Sequence, residues 1–147
     1  MILKFKKLNP RAIIPTRGTS QSAGLDLYLC CDKDEDTFTL LPGEYAPLPC
    51  AIAMSLTPGY EGQIRPRSGL TAKKGVTVLN TPGTVDSDYR GEIKVILINC
   101  SSRPVTFHHG DRIAQLVIAA VEMAVPCEVE ELDNTERGAG GFGSTGS

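Results

Sequence analysis

Ile93-Lys94-Val95-Ile96-Leu97-Ile98 decides how this chain folds. The stretch is short, nearly continuous in apolar side chains and rich in β-branched residues, so it reads as a strand buried on both faces. Upstream, Leu25-Asp26-Leu27-Tyr28-Leu29 alternates as a half-buried strand should. Downstream, residues 113–121 form another apolar run. Asp111 ahead of it would suit a helix cap, but length and β-branching favour a strand. Pro42-Gly43, Pro58-Gly59, Pro82-Gly83 and His109-Gly110-Asp111 mark turns between such runs. One short helix fits residues 70–74, closed by Gly75 in a left-handed position. Strands do not alternate with long helical patterns, which disfavours a parallel α/β sheet. The pattern predicts an all-β sandwich or barrel ending near Leu132, followed by a glycine-rich tail.

Composition agrees. A chain of 147 residues fits one domain with a modest core, and 15 Gly with 10 Pro point to many turns. With 41% hydrophobic and 22% charged residues, the chain belongs with ordered soluble proteins. The formal net charge of -2 lacks the basic excess of a nucleic-acid polymer binder. An anionic ligand would therefore be held by a few placed cations and backbone amides. Five Cys with no C-x-x-C spacing speak against zinc and a disulfide framework. The adjacent Cys30 and Cys31 would face opposite sides of a strand. Free thiols, no signal-peptide pattern after Met1 and no apolar run near the ~18 residues of a membrane span predict a cytoplasmic protein. An organelle matrix would look the same.

Several stretches carry residues suited to chemistry. Gly138, Gly140 and Gly143 match G-x-G-x-x-G, but no strand precedes them and no helix can follow. Ser144 stands where a Walker loop needs its Lys. A bare tail is one reading of this composition. The other rests on Phe142 among the glycines, with Arg137, Ser144 and Thr145 nearby: groups that approach phosphate and stack on a base. Arg65-Pro66-Arg67-Ser68-Gly69-Leu70 sets two cations and a hydroxyl ahead of the helix, suiting an anion or simply a solvated turn. Asn80-Thr81-Pro82-Gly83-Thr84-Val85-Asp86-Ser87-Asp88-Tyr89-Arg90-Gly91 lies between two apolar stretches and should form a β-hairpin. Asp86 or Asp88 there could act as a general base, or merely satisfy the turn. Asp26, between Leu25 and Leu27, reads as a solvent-facing carboxylate. Gln115 in its apolar run is either on a wet face or held in a polar site. His108 and His109 are spaced poorly for joint metal ligation and suit a surface loop.

In order along the chain, residues 23–27, 65–70, 80–93, 110–117 and 137–146 resemble the five motifs of the trimeric dUTPase family. The third, with its D-S-D-Y-R-G run, and the fifth are the specific ones. Ala139 falls at a position that varies. The resemblance implies a jelly-roll-like distorted β-barrel with one short helix and a flexible Gly-rich C-terminal arm. It divides the chain into a body, residues 1–136, and an arm, residues 137–147, that closes over the active site. It also implies a homotrimer with active sites shared between subunits.

The implied reaction is hydrolysis of dUTP to dUMP and pyrophosphate by Mg2+-assisted attack of water on the α-phosphate. That activity keeps uracil out of DNA and supplies dUMP. Asp86 would be the base, with Gln115 and Ser68 in the catalytic set. Arg67, Ser68, Gly69 and Gln115 would contact phosphates, and Asp26 the magnesium through water. Asn80 and the backbone of Thr84, Val85 and Asp86 would read uracil, and Tyr89 would pack under the deoxyribose. Lys94 is a further substrate contact. Phe142 and Gly143 would cover the base while Arg137, Ser144 and Thr145 engage the γ-phosphate. The alternatives are a dCTP deaminase of the same fold, which needs a different hairpin for cytosine, and a non-catalytic dUTPase-like binding protein.

Overall fold

The computed structural model describes residues 2–141, so Phe142, Gly143, Ser144 and Thr145 of the expected arm lie outside the described residues. The strands are β1 (Lys4–Lys7), β2 (Thr16–Arg17), β3 (Leu25–Tyr28), β4 (Thr37–Leu40), β5 (Tyr45–Pro49), β6 (Ile52–Ser55), β7 (Tyr60–Arg65), β8 (Val76–Val78), β9 (Gly83–Val85), β10 (Lys94–Asn99), β11 (Val105–His108) and β12 (Arg112–Ala120). The helix α1 (Ser68–Lys74) ends on Gly75 at φ 66°, whose N–H donates to the Thr71 carbonyl. A side chain there would be strained, which is why a glycine stops the helix.

All strand pairs are antiparallel. The largest sheet runs β2-β3-β12-β7-β9; a second runs β5-β10-β8, and β1-β6 and β11-β4 are two-stranded. The described strands close no barrel, and the all-β reading with one short helix stands.

The deciding stretch is a strand, shifted one residue to Lys94–Asn99, but it is not buried on both faces. Val95 and Leu97 are fully buried, whereas Ile96 and Ile98 are half-exposed. Its sheet packs the core on one side only. The apolar run at 113–121 is strand β12, so Asp111 caps no helix; its carboxylate accepts the His108 N–H at 2.9 Å and closes a turn. Cys30 and Cys31 lie beyond the end of β3 and are both buried, not split across a strand. His109 is tied in: its Nδ1 accepts the Cys31 N–H at 3.2 Å.

Phe107, Leu27, Leu29, Leu40, Leu48, Ile52, Ile93, Leu97, Ile113 and Leu116 form the centre of the core. Each such side chain contributes about 1.5–3 kcal/mol through burial. The one buried polar residue among the described residues, Asn99, is satisfied: Nδ2 donates to the carbonyls of Leu40 and Arg103, and Oδ1 accepts from Ser101 N and Oγ. Beyond β12 the chain leaves this core. Met123, Val125, Val129 and Leu132 are exposed, and the last described strand ends at Ala120, well before Leu132.

The cysteines report this burial. Desolvation, with Glu92 nearby, pushes the Cys50 thiol up to about 12, and burial also raises Cys30 and Cys31. The thiolate is the reactive species, so these three stay protonated and shielded at neutral pH. In the native protein at pH 8, a thiol reagent should modify Cys100 and Cys127 only, and all five cysteines once urea is added. Rapid modification of Cys50 in the native state would contradict this packing.

Candidate functional site

β12 pairs on both of its edges, and that double pairing builds the first half of the site. In register, Gln115 lies opposite Asp26 of β3 on one side and Arg65 of β7 on the other. Gln115 is held in a polar site: its Nε2 donates to the Pro66 carbonyl at 3.0 Å, tying the strand to the turn that starts α1. Gly24 makes room for it. A Cβ at Gly24 would stand 2.3 Å from Gln115 Oε1 and 3.0 Å from its Cβ, closer than real atoms approach.

Asp26 is not solvent-facing. Arg67 Nε reaches its Oδ1 at 3.0 Å and Arg112 Nη1 its Oδ2 at 3.2 Å, leaving the carboxylate 13% exposed. Arg67 also donates to the Arg112 carbonyl at 3.2 Å, so the two guanidinium groups are braced against one frame. Around them is a cavity of about 240 Å³ lined by Gly18, Ser22, Gly24, Asp26, Arg67, Ser68, Gly69, Arg112 and Gln115. Three stretches far apart in sequence thus converge on one small polar hollow. Fixed cations and donors in such a space suit the oxygens of a phosphate chain.

Residues 80–91 do not form the simple hairpin expected. β8 and β10 do pair with each other, but the chain between them crosses to the other sheet and runs as β9 beside β7. β9 ends that sheet, so its outer edge carries unpaired backbone donors and acceptors. A cavity of about 430 Å³ opens there, lined among others by Asn80, Thr84, Val85, Tyr89, Glu92 and Lys94. Tyr89 is fixed at both ends: its N–H donates to the Asp86 carbonyl at 3.2 Å and its hydroxyl to the Glu92 carbonyl at 3.0 Å. The ring lies across Gly91, where an added Cβ would come 2.4 Å from Tyr89 Oη.

Comparison with known proteins bears on this geometry directly. The family model for dUTPase matches residues 10–146. The chain belongs to the dUTPase family. It is 56% identical to a deoxyuridine 5'-triphosphate nucleotidohydrolase of Nautilia profundicola over 99% of both chains. The corresponding Wolinella succinogenes protein is 53% identical, over 99% of this chain and 95% of that one. Among solved structures, a mutant Staphylococcus bacteriophage 80alpha dUTPase with dUpNHpp superposes at a TM-score of 0.88 and 26% identity, over 99% of both chains. These dUTPase neighbours fit the jelly-roll-like all-β fold.

Of the residues that the dUTPase resemblance names, one cavity gathers Asp26, Arg67, Ser68, Gly69 and Gln115. The other gathers Asn80, Thr84, Val85, Tyr89 and Lys94. Asp86 lines neither; it is exposed just past β9, and its carboxylate makes no hydrogen bond or ion pair among the described residues. Arg137 bonds within its own segment, to the Gly140 carbonyl at 2.8 Å. Arg112 was absent from the sequence-based set. The register of β12 shifts between Arg112 and Ala114, so counting alternate residues from Gln115 does not reach it.

The Gly24–Gln115 contact gives a direct test. Gly24→Ala should push Gln115 off Pro66 and lower stability by about 1–3 kcal/mol, the usual cost of overpacking. Gly18→Ala, where the nearest atom is 3.7 Å from an added Cβ, should stay within about 0.5 kcal/mol of wild type in the same urea titration. Equal effects would mean that the Gln115 position does not depend on Gly24.

Proposed function

We propose that this protein hydrolyses dUTP to dUMP and pyrophosphate, by attack of water on the α-phosphorus with Asp86 as general base. The observation that carries this is the convergence of Arg67, Ser68, Gly69 and Gln115 on one polar cavity, in a chain alike over its full length to nucleotidohydrolases of that name.

The phosphates lie in the cavity between β3, β12 and α1. Arg67, Ser68, Gly69 and Gln115 bind their oxygens, and as charge grows on the α-phosphoryl group these donors stabilise it. Ser68 and Gly69 begin α1, so their N–H groups have no partner within the helix. The uracil meets the free edge of β9, where backbone groups from Thr84 to Asp86 and the Asn80 amide match its donors and acceptors. Cytosine presents the opposite groups at position 4 and would leave buried partners unpaired, a loss of several orders of magnitude in rate. Tyr89 packs under the sugar where a 2′-hydroxyl would collide. Asp86 takes a proton from the attacking water.

Magnesium fits the donor set. No group of three or more His, Cys, Asp and Glu side chains able to hold a metal occurs among the described residues. The phosphate cavity instead offers the hard oxygens of Asp26, suited to an ion that keeps most of its waters. When bound to the triphosphate it supplies charge and holds one conformer. Asp26 would hold the ion through its waters.

The active site is shared between copies in a homotrimer. In support, the two cavities have no lining residue in common. Ile64 lines one while Arg65, its neighbour in β7, registers with Gln115 of the other. Adjacent strand residues face opposite sides, so one nucleotide draws its base pocket and its phosphate cavity from different copies. Residues 137–147 act as an arm closing over the bound nucleotide, with Phe142 and Gly143 on the base and Arg137, Ser144 and Thr145 at the γ-phosphate. The body spans 1–136. No described helix is long and apolar enough to cross a membrane. The substrate is a small molecule, not a nucleic-acid polymer, and the protein acts in the cytoplasm, where it supplies dUMP and limits uracil in DNA.

Two measurements test this. Offered dUTP, dCTP, dTTP and UTP separately with magnesium, the protein should release pyrophosphate from dUTP at least about 10²-fold faster than from the others. Ammonia from dCTP would instead identify a deaminase, and equal rates on all four would overturn the assignment. Asp86→Asn should lower kcat by roughly 10²-fold or more while dUTP still binds, and Asp88→Asn should not.

A further inference from the structure

We infer that a second anion site lies beside the phosphate cavity, that it takes inorganic pyrophosphate, and that it receives the leaving group of the proposed reaction. This deepens the proposed function and rests on it for the source of the anion.

The site is a cavity of about 330 Å³ between α1 and the start of β12, lined by Arg67, Gly69, Leu70, Lys73, Lys74, Phe107, Asp111 and Arg112. Arg67, Gly69 and Arg112 also line the phosphate cavity, so the two hollows share a wall. Four cations meet two carboxylates here: Asp26 is bound by both arginines from the other side, and Asp111 faces His108 and the turn. Lys73 and Lys74 make no ion pair among the described residues. In a chain of net charge -2, this leaves a local surplus of two positive charges at one place.

Geometry keeps that surplus in position. Arg67 and Arg112 are braced through Asp26, and the Lys74 ammonium sits 5.4 Å above the Phe107 ring, a cation–π distance. Lys73 and Lys74 occupy the last turn of α1, where cations complement the helix dipole. A small, multiply charged anion can thus meet Arg67 and Arg112 from either hollow.

The test uses the full chain. Inorganic pyrophosphate is titrated into the protein alone and into protein saturated with magnesium and α,β-imido-dUTP, which keeps the first cavity filled. Wild type should bind one pyrophosphate per chain in the saturated state. Lys73→Gln/Lys74→Gln should weaken that binding at least about tenfold and leave analogue affinity within twofold. Lys73→Arg/Lys74→Arg should retain it, separating a charge effect from misfolding. No pyrophosphate bound to the saturated wild type, or equal binding by the glutamine variant, overturns the inference. If the analogue itself fails to bind, the nucleotide reading fails separately. The titration of unliganded protein then decides the site: lysine-dependent binding supports it and lysine-independent binding overturns it.

Discussion

The pairing of β12 with β3 on one edge and β7 on the other is the constraint from which the rest of the site follows. It places Asp26, Gln115 and Arg65 side by side although they are spread over most of the chain. Strand side chains alternate with a period of two, so a slip of one residue would send Gln115 into the core and Leu116 into the cavity. Burial forbids that slip: Ile113, Ala114 and Leu116 are fully enclosed. The hydrophobic core therefore sets the register, and the register sets the polar cavity. Gly24 and the Gln115–Pro66 bond lock the result locally.

Electrostatics are concentrated in the same place. A chain with a small negative net charge has no general field for attracting anions, so affinity must come from placed groups. Asp26 provides the placement. By holding Arg67 and Arg112 together it keeps two positive charges close that would otherwise repel, and the phosphate chain of the proposed substrate completes the neutralisation. The proposed base pocket works by different means. It offers an unpaired strand edge and a tyrosine ring laid across a glycine, with its two charged lining residues, Glu92 and Lys94, paired to each other at 3.5 Å.

Much of this was legible from residue pattern. The β-branched run before Asn99, the alternation around Leu27 and the glycine after Lys74 each gave the right element for the right physical reason. Periodicity failed where the third dimension decides. Ile96 and Ile98 look like core residues, but only contact with another sheet would bury them, and the core lies on the opposite face. Asp26 looked exposed because its partners, Arg67 and Arg112, are distant in sequence. Arg112 was missed because an irregularity in β12 breaks the count from Gln115. The 80–91 stretch resembled a hairpin because β8 and β10 do pair, and nothing local reports that β9 leaves to join β7. The family motifs recovered most cavity residues only by resemblance, since each short motif by itself also suits an ordinary turn.

The central claim is that the two cavities take the two halves of one nucleotide, supplied by different copies of the chain. A crystal structure with magnesium and α,β-imido-dUTP tests it most directly. The account predicts uracil against the β9 edge with the sugar on Tyr89 of one copy, and phosphates on Arg67, Ser68 and Gln115 of another. A nucleotide held entirely within one chain, or bound away from both cavities, would contradict it.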